Sequence, residues 1–211
     1  MTPGPTIIRE CSACWKLIAQ HTIGSGNTLG ARFWTDGKRD APMLPDEPWL
    51  VKCPHCGACI WIDEQKQVGE IEPWGARDQD AAKFSDACPY GTPSIHDYLA
   101  VLAKGVSDDQ KKHYLRLRVW WAGNDERRQG AEDAPMSSEE TDNLRAFVLL
   151  LDETEESDRL MKAEAMRELG RFAEARGLLS KPFSTELSQA VAIITELTEQ
   201  EMTSVMEMKF T

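Results

Sequence analysis

The fold is decided by the stretch Cys53-Pro54-His55-Cys56-Gly57, together with the earlier stretch Cys11-Ser12-Ala13-Cys14. Each stretch places two cysteines three positions apart, so one tight turn can present both sulfurs to a single tetrahedral metal ion. Gly57 supports this interpretation, because the residue after such a turn often needs a positive φ angle, which glycine adopts without strain. The sequence therefore predicts one structural Zn²⁺ site made by Cys11, Cys14, Cys53 and Cys56.

Four thiolates would close the coordination shell, whereas a catalytic zinc keeps one position open for water or substrate. Three alternatives stay open: iron in a rubredoxin-like site with four sulfur ligands, a thioredoxin-like redox pair, and thiols without any metal. Two further side chains are doubtful ligands, namely His55 inside the second turn and Cys59 three residues after Cys56. Cys88 has no partner at ligand spacing.

Charge and composition restrict the functional classes. The 211 residues include 35 acidic and 24 basic side chains, which gives a net charge of −11. Such a charge repels phosphate backbones and anionic lipids, so nucleic acid is a disfavoured partner. No stretch of 18 apolar residues and no signal-peptide pattern is present, and CxxC pairs in a reducing compartment indicate metal rather than cystine. These patterns predict a cytoplasmic protein that does not enter a membrane.

Residues 1–65 are predicted to form a β-rich module. Its strands are expected at 31–34, 49–52 and 59–62, separated by loops at 22–30 and 36–48, with a plain hairpin turn at 34–38. Short strands between long loops bury little apolar area, so such a module needs a metal to hold it together. Residues 66–92 show weak periodicity and are interpreted as a connector.

Residues 93–211 have helical periodicity and are predicted to form antiparallel helical hairpins, which makes the chain α+β. Helices are expected at 95–104, 107–122, 157–169, 172–179 and 185–206, and a further one opens at the Ser137–Glu140 capping-box spacing. Pro93 is assigned to the first helical position, and Gly123 is expected to end the second helix. Leu144, Phe147, Val148 and Leu151 lie on one helical face and should face the core.

The cysteine pattern resembles the zinc ribbon family, in which two CxxC turns at the tips of β-hairpins share one zinc ion. The resemblance covers roughly the first 65 residues and maps the ligands onto Cys11, Cys14, Cys53 and Cys56. The chain departs from the family in the 38 residues between the pairs, against about 15–20 in common sites. It also has Trp15 where the second pair has Gly57.

The stretch 163–179 resembles the turn of a tetratricopeptide repeat. In that family a glycine ends the first helix, an aromatic residue follows, and a small alanine lets the second helix approach closely. Gly170, Phe172 and Ala175 match these positions, but a stable array needs about three repeats and one is recognisable here. A zinc ribbon followed by such helices is also similar to uncharacterised bacterial cytosolic proteins, which implies no activity.

No nucleophile–base pair is recognisable, so the leading hypothesis is a non-enzymatic protein in which zinc stabilises the first module and an acidic helical surface binds a basic protein. Assembly adaptors and toxin-neutralising proteins both fit. A second hypothesis is a nucleic-acid-binding or transcription-related regulator, and a third is a metalloenzyme or redox protein. The second would need a local basic patch, for which the candidates are Lys38, Arg39, Lys52, Lys111, Lys112, Arg116 and Arg118.

Overall fold

A computed structural model describes residues 1–74, 82–130 and 134–210 of the chain. Strands dominate its N-terminal region and helices its C-terminal region, which confirms the predicted α+β class. None of the described helices is both long and apolar enough to cross a membrane.

The strands with described bounds are β1 (Thr2–Glu10), β2 (Leu17–Ser25), β3 (Arg32–Trp34), β4 (Arg39–Asp40), β5 (Leu50–Lys52), β6 (Cys59–Trp61), β7 (Lys66–Ile71), β8 (Cys88–Pro89) and β9 (Glu207–Met208). The helices are α1 (Ile95–Ala103), α2 (Asp109–Arg128), α3 (Ser138–Phe147), α4 (Glu156–Glu168), α5 (Phe172–Leu179) and α6 (Ser188–Glu199). Single 3₁₀ turns cover Ile62–Glu64 and Thr185–Leu187.

The chain divides into two compact units. The cysteine unit comprises Met1–Ala31 and Asp40–Asp97, and the helical unit comprises Arg32–Arg39 and Tyr98–Thr211. The predicted modules, 1–65, 66–92 and 93–211, followed chain order. In space, the short segment Arg32–Arg39 belongs with the helices because β3 pairs with β9 near the C-terminus, with Phe33 opposite Met208.

The main sheet of the cysteine unit has the strand order β7-β1-β2-β8. β1 runs antiparallel to both β2 and β7, whereas β8 pairs with β2 in parallel. The predicted loop at 22–30 is wrong in its first part, since β2 continues to Ser25. β1 is not among the predicted strands. Pro3 and Pro5 lie within it, and the structure accommodates them with register shifts between Thr2 and Thr6.

A second, two-stranded sheet pairs β5 with β6, close to the predicted strands 49–52 and 59–62. The buried residues Cys11, Ile18, Val51, Cys53, Ile60 and Ile62 form one small cluster in this unit. A separate cluster of Ile8, Ala19 and Phe84 lies in the main sheet. Neither cluster is large, as expected for a unit with short strands and long loops.

The helical unit has a larger core. The predicted stripe Leu144, Phe147, Val148 and Leu151 is confirmed as buried, and it packs with residues of α2, α4, α5 and α6. The predicted capping box at Ser137 and Glu140 is also confirmed, and α5 has the predicted bounds Phe172–Leu179. Gly170 follows α4 with a φ of 71°, as expected for a helix stop.

Several predicted helix ends are wrong. Ser94, not Pro93, adjoins the start of α1, where it exchanges hydrogen bonds with Asp97. α2 begins after the cap Asp108 and passes through Gly123 to Arg128. There the glycine makes room for a neighbour, because a Cβ at this position would clash with the carboxylate of Glu140.

The last helix was also overextended, since the expected helix 185–206 ends at Glu199. Glu201 then takes a left-handed conformation with a φ of 53°, which a helix cannot continue. The residues that follow form β9 instead, so long-range pairing with β3 replaces the helical hydrogen bonds.

Candidate metal centre

The four predicted cysteines converge on one point. The Sγ atoms of Cys11 and Cys56 are 4.0 Å apart, those of Cys14 and Cys53 are 3.7 Å apart, and all four lie within 4.8 Å of one another. A tetrahedral ion with metal–sulfur bonds of about 2.3 Å places its sulfurs about 3.8 Å apart. The cluster therefore has the dimensions of a four-thiolate metal site, and all six cysteines of the chain are free of disulfide bonds.

Each pair lies in the turn of a β-hairpin. Cys11–Lys16 connects β1 to β2, and Cys53–Ala58 connects β5 to β6. In both turns the first cysteine N–H donates to the carbonyl five residues later, at 3.0 Å for Cys11 and 2.9 Å for Cys53. In both, its carbonyl accepts from the N–H four residues later. The two turns thus have the same backbone hydrogen bonds.

Trp15 and Gly57 occupy the same place in these turns. Gly57 has a φ of 73° and Trp15 a φ of 64°, so both residues are left-handed. The departure at Trp15 therefore leaves the geometry of the first turn intact, although a non-glycine residue there costs about 1–2 kcal/mol. The Trp15 side chain is 71% exposed and gains little from burial.

Backbone N–H groups tune the thiols. A hydrogen bond from the Ala58 backbone is the main reason that the pKa of Cys56 is lowered. Burial raises the pKa of Cys53, against hydrogen bonds from the backbones of His55 and Cys56. At Cys14 the hydrogen bond from the Lys16 backbone lowers the pKa, but burial and neighbouring sulfurs leave it raised. Such N–H donors stabilise thiolates and therefore favour metal binding.

The two doubtful ligands lie outside the cluster. The described residues whose ligand atoms converge are the four cysteines, without His55 or Cys59. The His55 Nε2 atom is 2.9 Å from the carbonyl oxygen of Leu17, so it hydrogen-bonds the start of β2. Cys59 lies on β6 opposite Lys52. Cys88 also lies outside the cluster, and its thiol contacts the carbonyl oxygen of Asp86 at 3.7 Å.

Gln65 is a buried residue outside every recognised motif, and its side chain connects the two hairpins. Gln65 accepts a hydrogen bond from the Ser12 N–H at 2.8 Å and donates one to the Trp61 carbonyl at 2.9 Å. Arg9 donates to the Gln65 carbonyl at 2.9 Å and to Gln20 at 2.6 Å. These bonds position the first cysteine turn relative to β6, and only the strand register reveals them.

Three of the seven candidate cations of the basic patch form ion pairs. Lys52 forms an ion pair with Asp97 at 2.9 Å, and hydrogen bonds from Ser94 and Lys52 lower the pKa of Asp97 to about 2. Lys38 pairs with Asp125, and Lys112 pairs with Asp109 at 2.7 Å. Cations held by neighbouring carboxylates are less available to a phosphate backbone.

A buried ionic network in the helical unit was not predicted. The hairpin turn that was predicted at 34–38 is present, and its Asp36 is fully buried against α2. Asp36 forms an ion pair with Arg128 and accepts a hydrogen bond from Asn124 at 2.9 Å. Nearby, Arg167 pairs with Glu164 at 2.6 Å. Burial, against the opposing charge of Arg128, raises the pKa of Asp36 to about 6.

Comparison with protein-family models, curated proteins and solved structures yields no match to this chain. The functional inference therefore rests on the geometry of the cysteine cluster and on the surfaces around it.

Proposed function

We propose that this chain is a non-enzymatic protein-binding module whose cysteine unit is a zinc ribbon, held together by one Zn²⁺ ion on Cys11, Cys14, Cys53 and Cys56. The carrying observation is the convergence of the four sulfurs within 4.8 Å at the tips of two hairpins. Zinc is favoured over iron because four thiolates from paired turns are a common structural zinc shell.

A structural role of the zinc ion agrees with the small apolar core of the cysteine unit. The clusters around the cysteines contain few large apolar side chains, so burial alone supplies limited stability. Two of the ligands, Cys11 and Cys53, are themselves part of the buried cluster. An ion bound there would supply folding free energy directly, since the unfolded chain offers no preformed site.

The helical region supports a binding role. Residues 93–211 contain 23 acidic and 15 basic side chains, which accounts for −8 of the net charge of −11. A surface of this sign attracts basic partners and accelerates their encounter. The hairpin of α4 and α5 supports a tetratricopeptide-like interpretation, because Gly170 is left-handed and Ala175 is fully buried between the helices.

Metal analysis tests the zinc site. One zinc per chain is expected in the protein purified without added metal, and Cys14→Ser should lower the zinc content severalfold, because it removes one of four ligands. Cys88→Ser is the matched control, since Cys88 lies outside the cluster. A folded wild-type protein without bound metal would refute the proposed site, and iron in place of zinc would correct its identity.

Capture of a partner tests the binding role. The purified zinc-loaded protein, immobilised at low salt, should retain a basic protein that elutes as the salt concentration rises, because electrostatic attraction is screened. A nucleic-acid mobility shift in the same buffer addresses the alternative function. Retention of nucleic acid with no protein partner would count against the proposal.

A further inference from the structure

A cavity of about 460 Å³ opens on the helical unit. Three arginines line it, Arg127, Arg145 and Arg171, together with Thr141 and the apolar Met136. Small-molecule sites commonly have volumes of about 300–1,000 Å³. A cavity lined by three guanidinium groups is notable in a chain with a net charge of −11, because it would select ligands of the same sign as the protein.

Arg127 is the buried member of this set, with 7% of its surface exposed. Its Nε atom donates to the Ala134 carbonyl at 2.9 Å. Its Nη1 atom donates to the Gly123 carbonyl at 2.8 Å and to a Glu140 carboxylate oxygen at 2.9 Å. Within the described part of the chain, Nη2 has no hydrogen-bond partner. The bonds of Nε and Nη1 hold the guanidinium in a fixed position.

Arg145 and Arg171 each pair with a carboxylate through part of the guanidinium group. Arg145 contacts Asp142 through Nη1 alone, at 3.3 Å. Arg171 binds Glu174 through Nε and Nη2, so its Nη1 atom remains for other contacts. Asp142 and Glu174 are not among the described residues that line the cavity. Each of these carboxylates pairs with one of the two arginines.

Glu168 is the one acidic residue among the described residues of the cavity lining. Its carboxyl group accepts hydrogen bonds from Trp120 at 2.8 Å and from Asn124 at 3.1 Å. Burial, reinforced by the charges of Glu164 and Asp36, raises the pKa of Glu168 well above its usual range. The oxygens of this carboxyl group are thus occupied by donors of α2.

We propose that this cavity binds a small organic anion, a carboxylate or a phosphate monoester, through the guanidinium groups of Arg127, Arg145 and Arg171. Guanidinium groups present planar pairs of donors that match two oxygens of such a ligand. Met136 and Leu169 give its organic part an apolar wall. Every residue of the site belongs to the helical unit, so the proposal is independent of the zinc site.

Calorimetric titration of the full-length, metal-loaded protein at low ionic strength tests the site, with phenyl phosphate and benzoate as probes. Binding of either anion is expected, and benzyl alcohol, which lacks the charge, should not bind. Arg145→Gln and Arg171→Gln should each weaken the affinity about tenfold, as expected when one charge-assisted hydrogen bond is lost.

Arg176→Gln is the matched control, because it removes the same charge at an exposed arginine that pairs with Glu201 outside the cavity. Its affinity should stay within about twofold of the wild type, as for a surface charge that makes no contact with the ligand. An equal loss in all three variants would show a general charge effect and overturn the proposal. No binding of either anion at millimolar concentration would also overturn it.

Discussion

Trp15 is a single residue held in a conformation that suits glycine. The backbone of the first cysteine turn imposes a φ of 64° on it, and its exposed ring gains little contact in return. The left-handed conformation of Trp15 brings the following carbonyl, that of Lys16, within 3.0 Å of the Cys11 N–H. The turn therefore tolerates local strain so that both sulfurs face the same point.

Replacing Trp15 with glycine should stabilise the metal-loaded protein by roughly 0.5 kcal/mol, because relief of strain exceeds the entropy that glycine loses on folding. Gly57→Ala should destabilise it by about 1 kcal/mol, since alanine must then adopt the left-handed conformation. Urea unfolding of the two variants measures both effects. A loss of stability in Trp15→Gly would show that the indole makes a contact that outweighs the strain.

Asp36 predicts a dependence of stability on pH. Its pKa is about 6 in the folded chain against an ordinary value of 3.8, so the folded state binds the proton more tightly. The contribution of this proton is fully present below about pH 3.8 and is lost as pH rises through about 6, a change of up to ~3 kcal/mol. Arg128, Asn124 and Glu164 face the carboxyl group and share in this balance.

The wild type and Asp36→Asn should be compared by urea unfolding between pH 4 and 7. The wild type is expected to lose stability relative to the variant as pH rises through this range, because the variant cannot release the proton. The difference between the unfolding free energies of the two proteins is free of the titration of the thiols, because both proteins contain the same cysteines. A difference that does not change with pH would contradict the assignment.

At the scale of the element, α2 shows how packing overrides a local stop signal. Gly123 sits inside a helix of 20 residues, although glycine is costly there by about 1 kcal/mol relative to alanine. Glu140 occupies the space that a side chain would need, and it both caps α3 and pairs with Arg127 at 2.9 Å. The glycine thus permits the close approach of α2 and α3.

Gly123→Ala should therefore destabilise the helical unit by about 1–3 kcal/mol, despite the better helix propensity of alanine, because Glu140 must leave its bonds. Gly177→Ala is the matched control within α5, where a Cβ would meet nothing within 4 Å. That variant should gain up to ~1 kcal/mol from propensity alone. Thermal unfolding measures the stability of both variants relative to the wild type. A Gly123→Ala variant that is more stable than the wild type would refute the packing argument.

At the scale of the molecule, the two compact units differ in their apolar cores. The cysteine unit has small apolar clusters and includes all four candidate ligands, whereas the helical unit has a continuous core with Trp120, Leu144 and Phe147 among its buried residues. The buried pair of Arg167 and Glu164 adds little net stability to the helical unit, because desolvation offsets its attraction.

Removal of the metal should separate these contributions. Treatment with a strong chelator is expected to abolish hydrogen-exchange protection in β1, β2, β5 and β6, while α3 to α6 keep theirs, because no cysteine lies in the helical core. Mass spectrometry of exchanged peptides gives the measurement, with Cys88→Ser as a control that should respond like the wild type. Equal loss of protection in both units would show that the helices also depend on the metal.

Features set by a few neighbouring residues could be predicted from the sequence. The two CxxC turns, the capping box at Ser137 and Glu140, and α5 all depend on contacts within about one turn of chain, so spacing and residue type suffice. All four candidate ligands were predicted for this reason. The hydrogen bonds that position the cysteine turns were not predicted, because the bonds of Gln65 to Ser12 and Trp61 depend on how distant strands align.

Only the tertiary structure decided which charged residues are buried and where α2 and α6 end. Asp36 lies in an ordinary hairpin turn by its sequence, yet it is fully buried because Arg128 and Asn124, about 90 positions away, satisfy its carboxylate. Long-range contacts also explain Gly123, which packs against Glu140 inside α2, and Glu201, after which the chain pairs with β3. Local patterns determine turns and faces, whereas the free energy of long-range packing determines which charged groups may be buried and which strands meet.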